Sequence, residues 1–474
     1  MTMKKFLFYS GWVITNISVF MSGFFMQKNN PELYILNRLG YSVYISRGAG
    51  LCLTFLPGLL LIPMCRHTVT FFRSRPFLFF LKQFLPDISI QLHSVISFTM
   101  VFWATVHAVS HIINFYGVEH ILKINTAINL HYKMIGGATG HIMALCLLVI
   151  TITSILRKKM KFEIFWYSHH LLFIFYLAFL VHGTGCFVKT ENGKCVPYYS
   201  AFFVFPFLMI YTIERLFRET RASVEAKDII FSGDTLKILF EKKINYKSGQ
   251  YILLKCDEIS IFQWHPFTIS SSPTEKYMEI SIRCLGDWTF NLRKSILNHA
   301  NLKFKIDGPF GSPIDTIEDY ESAILIASGI GITPFISVIK GMCAEQTKLK
   351  KIELVWVNQD ARYFEWFNEE LRIFWKEFLK INFHMFLTEK IKTIERIKKI
   401  TREGGVKIYK TDIHITYGRP DFDVFFKKYL KNNDQIRVGV FVCGGKNLQS
   451  IVKKSCEKFS NKDVNFVYKV EKFN

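Results

Sequence analysis

Six apolar runs fill residues 6–26, 44–64, 91–114, 134–156, 163–183 and 198–217 of this 474-residue chain, each near the ~20 residues that cross a hydrocarbon core as a helix. Only helices or closed barrels satisfy their backbone groups in lipid, so the first half must fold as a helical membrane bundle. An even number of spans returns the chain to its starting side. Lys4 and Lys5 precede the first span, Arg66, Arg73, Arg75 and Lys82 lie between the second and third, and Arg157, Lys158, Lys159 and Lys161 between the fourth and fifth. Arg215, Arg218 and Arg221 sit at the end of the last. The excess of positive charge on cytosolic loops predicts that these segments, both termini and the whole second half face the cytosol. The first span has no small-residue cleavage site behind it and reads as retained. The expected home is the plasma membrane or a related endomembrane.

The net charge of +22 beside 50% hydrophobic residues fits a membrane protein with basic cytosolic edges. It argues against nucleic-acid binding, because no recognition motif accompanies the basic residues. The ten cysteines show no C-x-x-C spacing, so neither a zinc site nor a redox dithiol is indicated. Cys186 and Cys195 share the loop between spans five and six, on the expected outer side, where a disulfide is favoured.

Ionisable side chains inside a bilayer are costly and usually functional. His93, His107 and His111 fall on span three, and His169, His170 and His182 on span five. His93 and His107 are fourteen residues apart, which places them on nearly one helix face, about 21 Å apart along the axis. His169 and His182 offer a matching inner and outer imidazole. Two helices would then supply two bis-imidazole sites, one above the other, and haem takes imidazoles on opposite faces of a plane. Pairing by depth joins His93 to His169 and His107 to His182, with His170 a competitor for the inner position. Thirteen residues turn an ideal helix through about 220°, so a local irregularity is expected between His169 and His182. His141 on span four has no partner at fitting spacing and reads as structural.

After Arg221 the pattern changes to short alternating strands such as 236–240 and 251–254, which suits a small antiparallel barrel. At its centre lies Trp264-His265-Pro266-Phe267-Thr268, followed by Ile269 and three serines, Ser270 to Ser272. A flavin needs hydroxyl and backbone donors along its ring edge and cations for its pyrophosphate. Thr268 and the serines suit the first role, and Arg283 with the turn Gly286-Asp287-Trp288-Thr289 the second. Further on, the apolar strand 322–328 runs into Gly329-Ile330-Gly331-Ile332-Thr333-Pro334-Phe335 and a helical segment. Strand, glycine turn and helix start form a phosphate cradle, in which glycines admit the pyrophosphate and the helix N-terminus offers unpaired amides. Two more apolar strands follow, 352–357 and 438–443, the latter ending in Cys443-Gly444-Gly445, so a parallel sheet with nucleotide at its carboxyl edge is expected. Arg419, on the turn Tyr417-Gly418-Arg419-Pro420, could pair with a 2′-phosphate and favours NADPH over NADH. The basic stretch 389–410 reads as a solvated helix and loop.

With these motifs in order, the chain resembles the NADPH oxidase family over nearly its whole length. The residues that carry the resemblance are Leu61-Ile62-Pro63-Met64-Cys65-Arg66, Phe165-Trp166-Tyr167-Ser168-His169-His170-Leu171, the His265-to-Thr268 motif and Asp307-Gly308-Pro309-Phe310-Gly311. The Gly329-to-Phe335 motif, Phe364-Glu365-Trp366-Phe367 and Tyr417-to-Pro420 complete it. The resemblance implies a six-helix transmembrane haem-binding bundle followed by a ferredoxin-NADP reductase-like module. Its domains would be 1–217 for the haem bundle, 218–315 for an antiparallel FAD-binding barrel and 316–474 for an α/β NADPH domain. The family's haem ligands map onto His93, His107, His169 and His182, the aromatic residue between the haems onto Phe175, and the oxygen-reducing centre onto Arg47 and His111. Its terminal aromatic near the flavin maps onto Phe473, here followed by Asn474. Gln359 stands where relatives carry an arginine for the 2′-phosphate, which leaves that role to Arg419, with Arg362 a substitute. No calcium-binding helix-loop-helix precedes span one, so activation by such a module is not expected.

The expected function is transfer of electrons from cytosolic NADPH through FAD and two b-type haems to oxygen on the far side, giving superoxide. A membrane helper subunit and cytosolic activators are candidate partners. The nearest rival is a ferric-chelate reductase of the same build, disfavoured by the small polar centre at Arg47 and His111. A nucleotide-regulated proton or ion channel would leave the flavin motif unused, and a silent scaffold would not need intact ligand motifs.

Overall fold

The computed structural model describes residues 3–74, 89–184, 200–298, 302–344, 348–367, 370, 373–374, 381–388, 415–431, 437–461 and 463–471. Cys186, Cys195, Arg75, Lys82, the stretch 389–410, Phe473 and Asn474 lie outside these residues. Two compact units divide the chain, Met1–Leu216 and Phe217–Asn474.

Among the described residues six helices are long and apolar enough to cross a membrane: Phe6–Lys28, Tyr41–Met64, Ile90–Leu122, Ile135–Leu156, Phe162–His182 and Ser200–Glu219. Large apolar side chains such as Phe102, Ile113, Leu145, Leu148 and Phe202 stand on the outside of the bundle, the arrangement that lipid rather than water rewards. Small residues let the backbones approach. A Cβ on Gly48 of span two would lie 2.6 Å from the Phe20 carbonyl of span one, and one on Gly58 would lie 2.5 Å from the Phe207 ring of span six. Polar groups tie the rest. Trp103 stacks on Phe20 at 4.9 Å and donates its indole N–H to Asn16 at 3.2 Å, and the Tyr176 hydroxyl donates to the Pro57 carbonyl at 2.7 Å. In hydrocarbon these donors have no water to fall back on.

Span five is not one regular helix. It runs Phe162–His169 and then Leu171–His182, with His170 between the two pieces. The His170 N–H bonds the Tyr167 carbonyl at 3.1 Å and the Phe173 N–H bonds the His170 carbonyl at 2.9 Å. Both links span three residues instead of four, which winds the chain faster at this point. The irregularity expected between His169 and His182 is this break.

The second unit contains two sheets. The first has strands β1 (Ser223–Ser232), β2 (Thr235–Glu241), β3 (Tyr251–Cys256), β4 (His265–Thr268), β5 (Tyr277–Arg283) and β6 (Lys303–Phe310). Their order is β4-β3-β6-β1-β2-β5, every pairing is antiparallel, and an antiparallel bridge between Ile269 and Ile280 links the two edges into a barrel. Leu236, Ile238, Phe240, Ile252, Leu254 and Phe304 alternate inward along the strands and fill it.

The second sheet is parallel throughout, in the order β10-β9-β8-β7-β11-β12. Its strands are β7 (Ser322–Ser328), β8 (Lys351–Asn358), β9 (Ile381–Leu387), β10 (Ile415–Tyr417), β11 (Arg437–Cys443) and β12 (Asn465–Glu471). The sequence pattern shows β7, β8 and β11; β9, β10 and β12 are the less uniformly apolar neighbours that complete the sheet. Buried clusters cover both faces, as a parallel sheet requires.

Candidate functional site

The histidines of spans three and five meet in pairs. The His93 and His169 ring centres are 6.2 Å apart, and those of His107 and His182 are 6.5 Å apart. Metal–imidazole bonds of about 2.0–2.1 Å, with roughly 1.1 Å from nitrogen to ring centre, put two trans imidazoles about 6.3 Å apart centre to centre. The spacing of both pairs therefore suits one metal ion between each. The far nitrogens are also arranged for it. His93 Nδ1 bonds the Leu60 carbonyl at 3.1 Å, His107 Nδ1 the Ser46 carbonyl at 2.9 Å, and His182 Nδ1 the Thr139 hydroxyl at 2.9 Å. A carbonyl can only accept, so Nδ1 of His93 and of His107 carries the proton, and each Nε2 keeps its lone pair for a metal. Glycines make room: Cβ positions on Gly50 and Gly140 would stand 3.3 Å and 3.4 Å from the rings of His107 and His182. The residues present fit two bis-histidine haem sites.

His170 is outside this arrangement. It is exposed, and its Nδ1 bonds the Trp166 carbonyl of its own helix at 2.7 Å. Phe175 is buried at 5% exposure, midway along the chain between His169 and His182, and stacks on Phe179 at 6.2 Å. His111 places its ring 4.5 Å from that of His107. Arg47 follows Ser46, whose hydroxyl accepts from the Asn114 amide at 3.1 Å while its carbonyl holds His107, so Arg47, His107 and His111 share one level of the bundle. Asn114 is buried and its Oδ1 meets no hydrogen-bonding group among the described residues. His141 has a local partner in keeping with a structural role: His131, on the short π-helical segment Asn129–Lys133 before span four, lies 3.1 Å away through Nδ1. No spacing along span four could have revealed it.

In the barrel, Trp264 donates its indole N–H to Glu219 at 2.8 Å, with Lys255 over its ring at 5.7 Å. Strand β4 carries His265, Pro266, Phe267 and the buried Thr268. His265 stacks against Trp288 at 4.3 Å, and burial pushes its pKa down to about 4, so the imidazole is neutral at physiological pH. The serines expected to face a flavin are committed inside the protein. Ser270 donates to Glu279 at 2.7 Å, Ser271 Oγ pairs with Tyr246 at 2.7 Å, and Ser272 Oγ with Thr274 at 2.9 Å. Thr289 accepts from the Leu285 and Gly286 amides and closes its own turn at the start of the helix Asp287–Asn298. Arg283 bonds Asp234 at 2.9 Å and the Tyr363 hydroxyl at 2.6 Å, with one guanidinium nitrogen 3.5 Å from a Cβ position on Gly329. It thus stands where the barrel meets the glycine turn of the parallel sheet.

That turn is built as the motif predicts. Strand β7 ends at Ser328, a 3₁₀ turn covers Gly329–Ile332, and a helix runs Thr333–Ala344 with Pro334 in its first turn. Gly329 has φ +55°, a conformation glycine adopts without strain. Thr333 donates its hydroxyl to the Ile330 carbonyl at 3.1 Å. Cys443, at the end of β11, is fully buried, and burial holds its thiol well above the usual range. Gly444 packs on the Ser328 hydroxyl. Arg419 is exposed after Gly418, whose φ is +102°. Arg362 is exposed as well, but its guanidinium binds Asp360 in a two-pronged pair. One residue that sequence reasoning passed over is Asn358, the last of β8. It is 2% exposed, and neither its amide oxygen nor its nitrogen meets a hydrogen-bonding group among the described residues. It shares a sheet face with Trp356, whose indole donates to the Gly329 carbonyl at 2.9 Å.

Three family models match in chain order: a ferric reductase like transmembrane component over residues 50–180, an FAD-binding domain over 220–314, and a ferric reductase NAD binding domain over 320–457. A superoxide-generating NADPH oxidase heavy chain of Dictyostelium discoideum is 30% identical, over 95% of this chain and 71% of the relative. NADPH oxidase 3 of Homo sapiens is 27% identical over 98% of this chain and 97% of its own, and NADPH oxidase 1 of Mus musculus is 26% identical over 98% and 93%. With six apolar spans, an antiparallel flavin-type barrel and a parallel nucleotide-type sheet in this order, the chain belongs to the NADPH oxidase family.

Proposed function

We propose that the protein moves electrons from cytosolic NADPH through FAD and two b-type haems across the membrane to oxygen on the far side, releasing superoxide. The observation that carries this reading is the pair of histidine pairs, 6.2 Å and 6.5 Å between ring centres, on two helices of the bundle. When bound, flavin divides a two-electron hydride into single electrons, and the haems carry them through a medium that ions cannot cross.

The chain's own residues bind and orient. His93 with His169, and His107 with His182, would hold the two haems, with Phe175 on the segment between the two levels. The amides of the Gly329-to-Thr333 turn receive the NADPH pyrophosphate at the N-terminus of the helix that follows. Gly331, Pro334, Cys443 and Gly444 shape the floor of that site, and Arg419 pairs with the 2′-phosphate. Trp264, His265, Pro266, Phe267, Thr268, Arg283 and Thr289 would hold the flavin, and Phe473, outside the described residues, is the aromatic assigned to it by the family resemblance. At the outer level, His111 donates a hydrogen bond to oxygen, and Arg47 stabilises the negative charge that develops on it. The working domains are 1–217, 218–315 and 316–474, both termini are cytosolic, and a helper subunit and cytosolic activators are the partners to seek. The home membrane is the plasma membrane or a related endomembrane.

The test is a difference spectrum of the purified protein under nitrogen with NADPH and FAD, followed by an oxygen pulse with a superoxide probe. Haem that is reduced and then reoxidised with superoxide formation is the expected result. Haem that ignores oxygen yet reoxidises with a ferric chelate would make the protein a metal reductase. Replacing His107 with Leu should halve the haem content, and an unchanged haem-to-protein ratio would overturn the ligand assignment.

A further inference from the structure

The two histidine pairs differ in what stands behind the rings. In the first, His93 Nδ1 donates to a backbone carbonyl, but His169 Nδ1 is buried and meets no hydrogen-bonding group among the described residues. In the second, both rings are held: His107 by the Ser46 carbonyl and His182 by the Thr139 hydroxyl on span four. A hydroxyl can donate or accept, so the direction of the last bond has to be argued. Thr139 Oγ1 also lies 2.6 Å from the Ile135 carbonyl oxygen. Two oxygens that close need a proton between them, and threonine has only one to give. The hydroxyl hydrogen therefore goes to Ile135, and Thr139 Oγ1 accepts from Nδ1–H of His182. The direction of the bond sets the tautomer, leaving the His182 Nε2 lone pair free.

The local sequence builds this contact. Gly136 and Gly140 are four residues apart on span four and both face His182: Cβ positions on them would stand 3.8 Å from its carbonyl oxygen and 3.4 Å from its Cε1. Their missing side chains bring the two helices close enough for a hydroxyl as short as threonine's to reach the imidazole.

We propose that Thr139 is a positioning residue that fixes the tautomer of His182 and, by accepting its Nδ1–H, makes the His107–His182 centre the more strongly reducing of the two. An imidazole whose far N–H is engaged is the more basic ligand, and a more basic ligand favours the ferric over the ferrous state. Among the described residues His169 has no such support. The asymmetry gives the centre on the oxygen side the lower potential, which suits a site that must hand an electron to a poor one-electron acceptor. The inference rests on the assignment of His182 as an axial ligand.

The experiment is an anaerobic redox titration of the purified full-length protein followed in the haem absorption bands, comparing wild type with Thr139→Val and Thr139→Ser. Valine keeps the shape and removes the acceptor; serine keeps the acceptor. Thr139→Val is expected to raise one midpoint by about tenfold in its reduction equilibrium, ~59 mV for a one-electron couple, and to leave the other in place. Thr139→Ser should stay within about threefold of wild type. If valine disturbs packing, Thr139→Ala reads the same loss. Unmoved midpoints in both Val and Ala variants overturn the proposal, as does a serine variant that shifts as far as valine. A wild-type protein that carries no haem overturns the ligand assignment itself, and with it this inference.

Discussion

Gly331 lies so close to Cys443 that a Cβ on the glycine would stand 2.5 Å from the cysteine's carbonyl oxygen and 3.0 Å from its sulfur. The glycine turn after β7 and the end of β11 are thus pressed together, and this contact shapes the carboxyl edge of the sheet where nucleotide is expected to bind. Replacing Gly331 with Ala must push backbone aside. The expected cost is about 1–3 kcal/mol of stability together with a KM for NADPH raised roughly tenfold or more. Steady-state kinetics over a range of NADPH with a thermal melt would check it. A variant with wild-type KM would mean the turn does not shape the nucleotide site.

Asp307 is fully buried between two guanidiniums, Arg218 at 2.9 Å and Arg221 at 3.1 Å. Its removal takes the carboxylate away from the buried Arg218 guanidinium, and breaking a buried ion pair typically costs about 3–5 kcal/mol. Asp307→Ala should therefore lower the midpoint of unfolding sharply. Arg221→Ala, at a side chain 31% exposed and with Arg218 still paired, should do so much less. Equal effects of the two variants would contradict the asymmetry of burial.

His265 contributes a pH dependence whose sign can be worked out. Burial lowers its folded pKa to about 4, whereas the unfolded value is near 6.5. Between these values the unfolded chain binds the extra proton, so this stabilisation is complete above pH ~6.5 and is lost as pH falls toward 4. Carboxylates titrate at the lower end of that window and other buried histidines share it, so the difference between wild type and His265→Phe from about pH 6.5 to 5 reports this histidine. Thermal melts should show stability declining there in the wild type and declining less steeply in His265→Phe. A parallel decline in both would assign the effect elsewhere.

Asn358 holds a buried amide with no partner among the described residues, at the strand end beside the Gly329 turn. Burying an amide unpaired costs about 1–3 kcal/mol, so Asn358→Leu should stabilise the nucleotide-free protein by about that much. If the amide meets NADPH, the same variant weakens nucleotide binding. The combination of a higher melting temperature and a higher KM is the expected outcome. A variant that is less stable without nucleotide would show that the amide is satisfied inside the fold.

The sequence made some parts of this architecture legible and left others open, and the dividing line is physical. The six spans, the depth pairing of His93 with His169 and of His107 with His182, and the strand–glycine turn–helix of residues 322–344 follow from periodicity and local stereochemistry, which a linear pattern records. The choice of His169 over His170 is different in kind. The two are adjacent and spacing alone left them equal; the family resemblance pointed to His169, and the structure brings that ring beside His93 while His170 stays on its own helix at Trp166. The serines 270–272 read as flavin donors because hydroxyl residues cluster there, but Glu279 and Tyr246 take up Ser270 and Ser271 in the folded chain, and Ser272 pairs locally with Thr274.

From its sequence alone, then, this chain's order of modules, its membrane spans and the residue types able to hold haem, flavin and nucleotide were determined, because each depends on residues a few positions apart. Tertiary structure decided which hydrogen-bonding atom serves which partner: the Thr139 hydroxyl behind His182, the Ser46 carbonyl behind His107, His131 beside His141, and the unpartnered amide of Asn358 among the described residues. Those pairings join segments 10 to 61 residues apart, and they depend on helix phase and close approach of backbones, which no single stretch of sequence encodes.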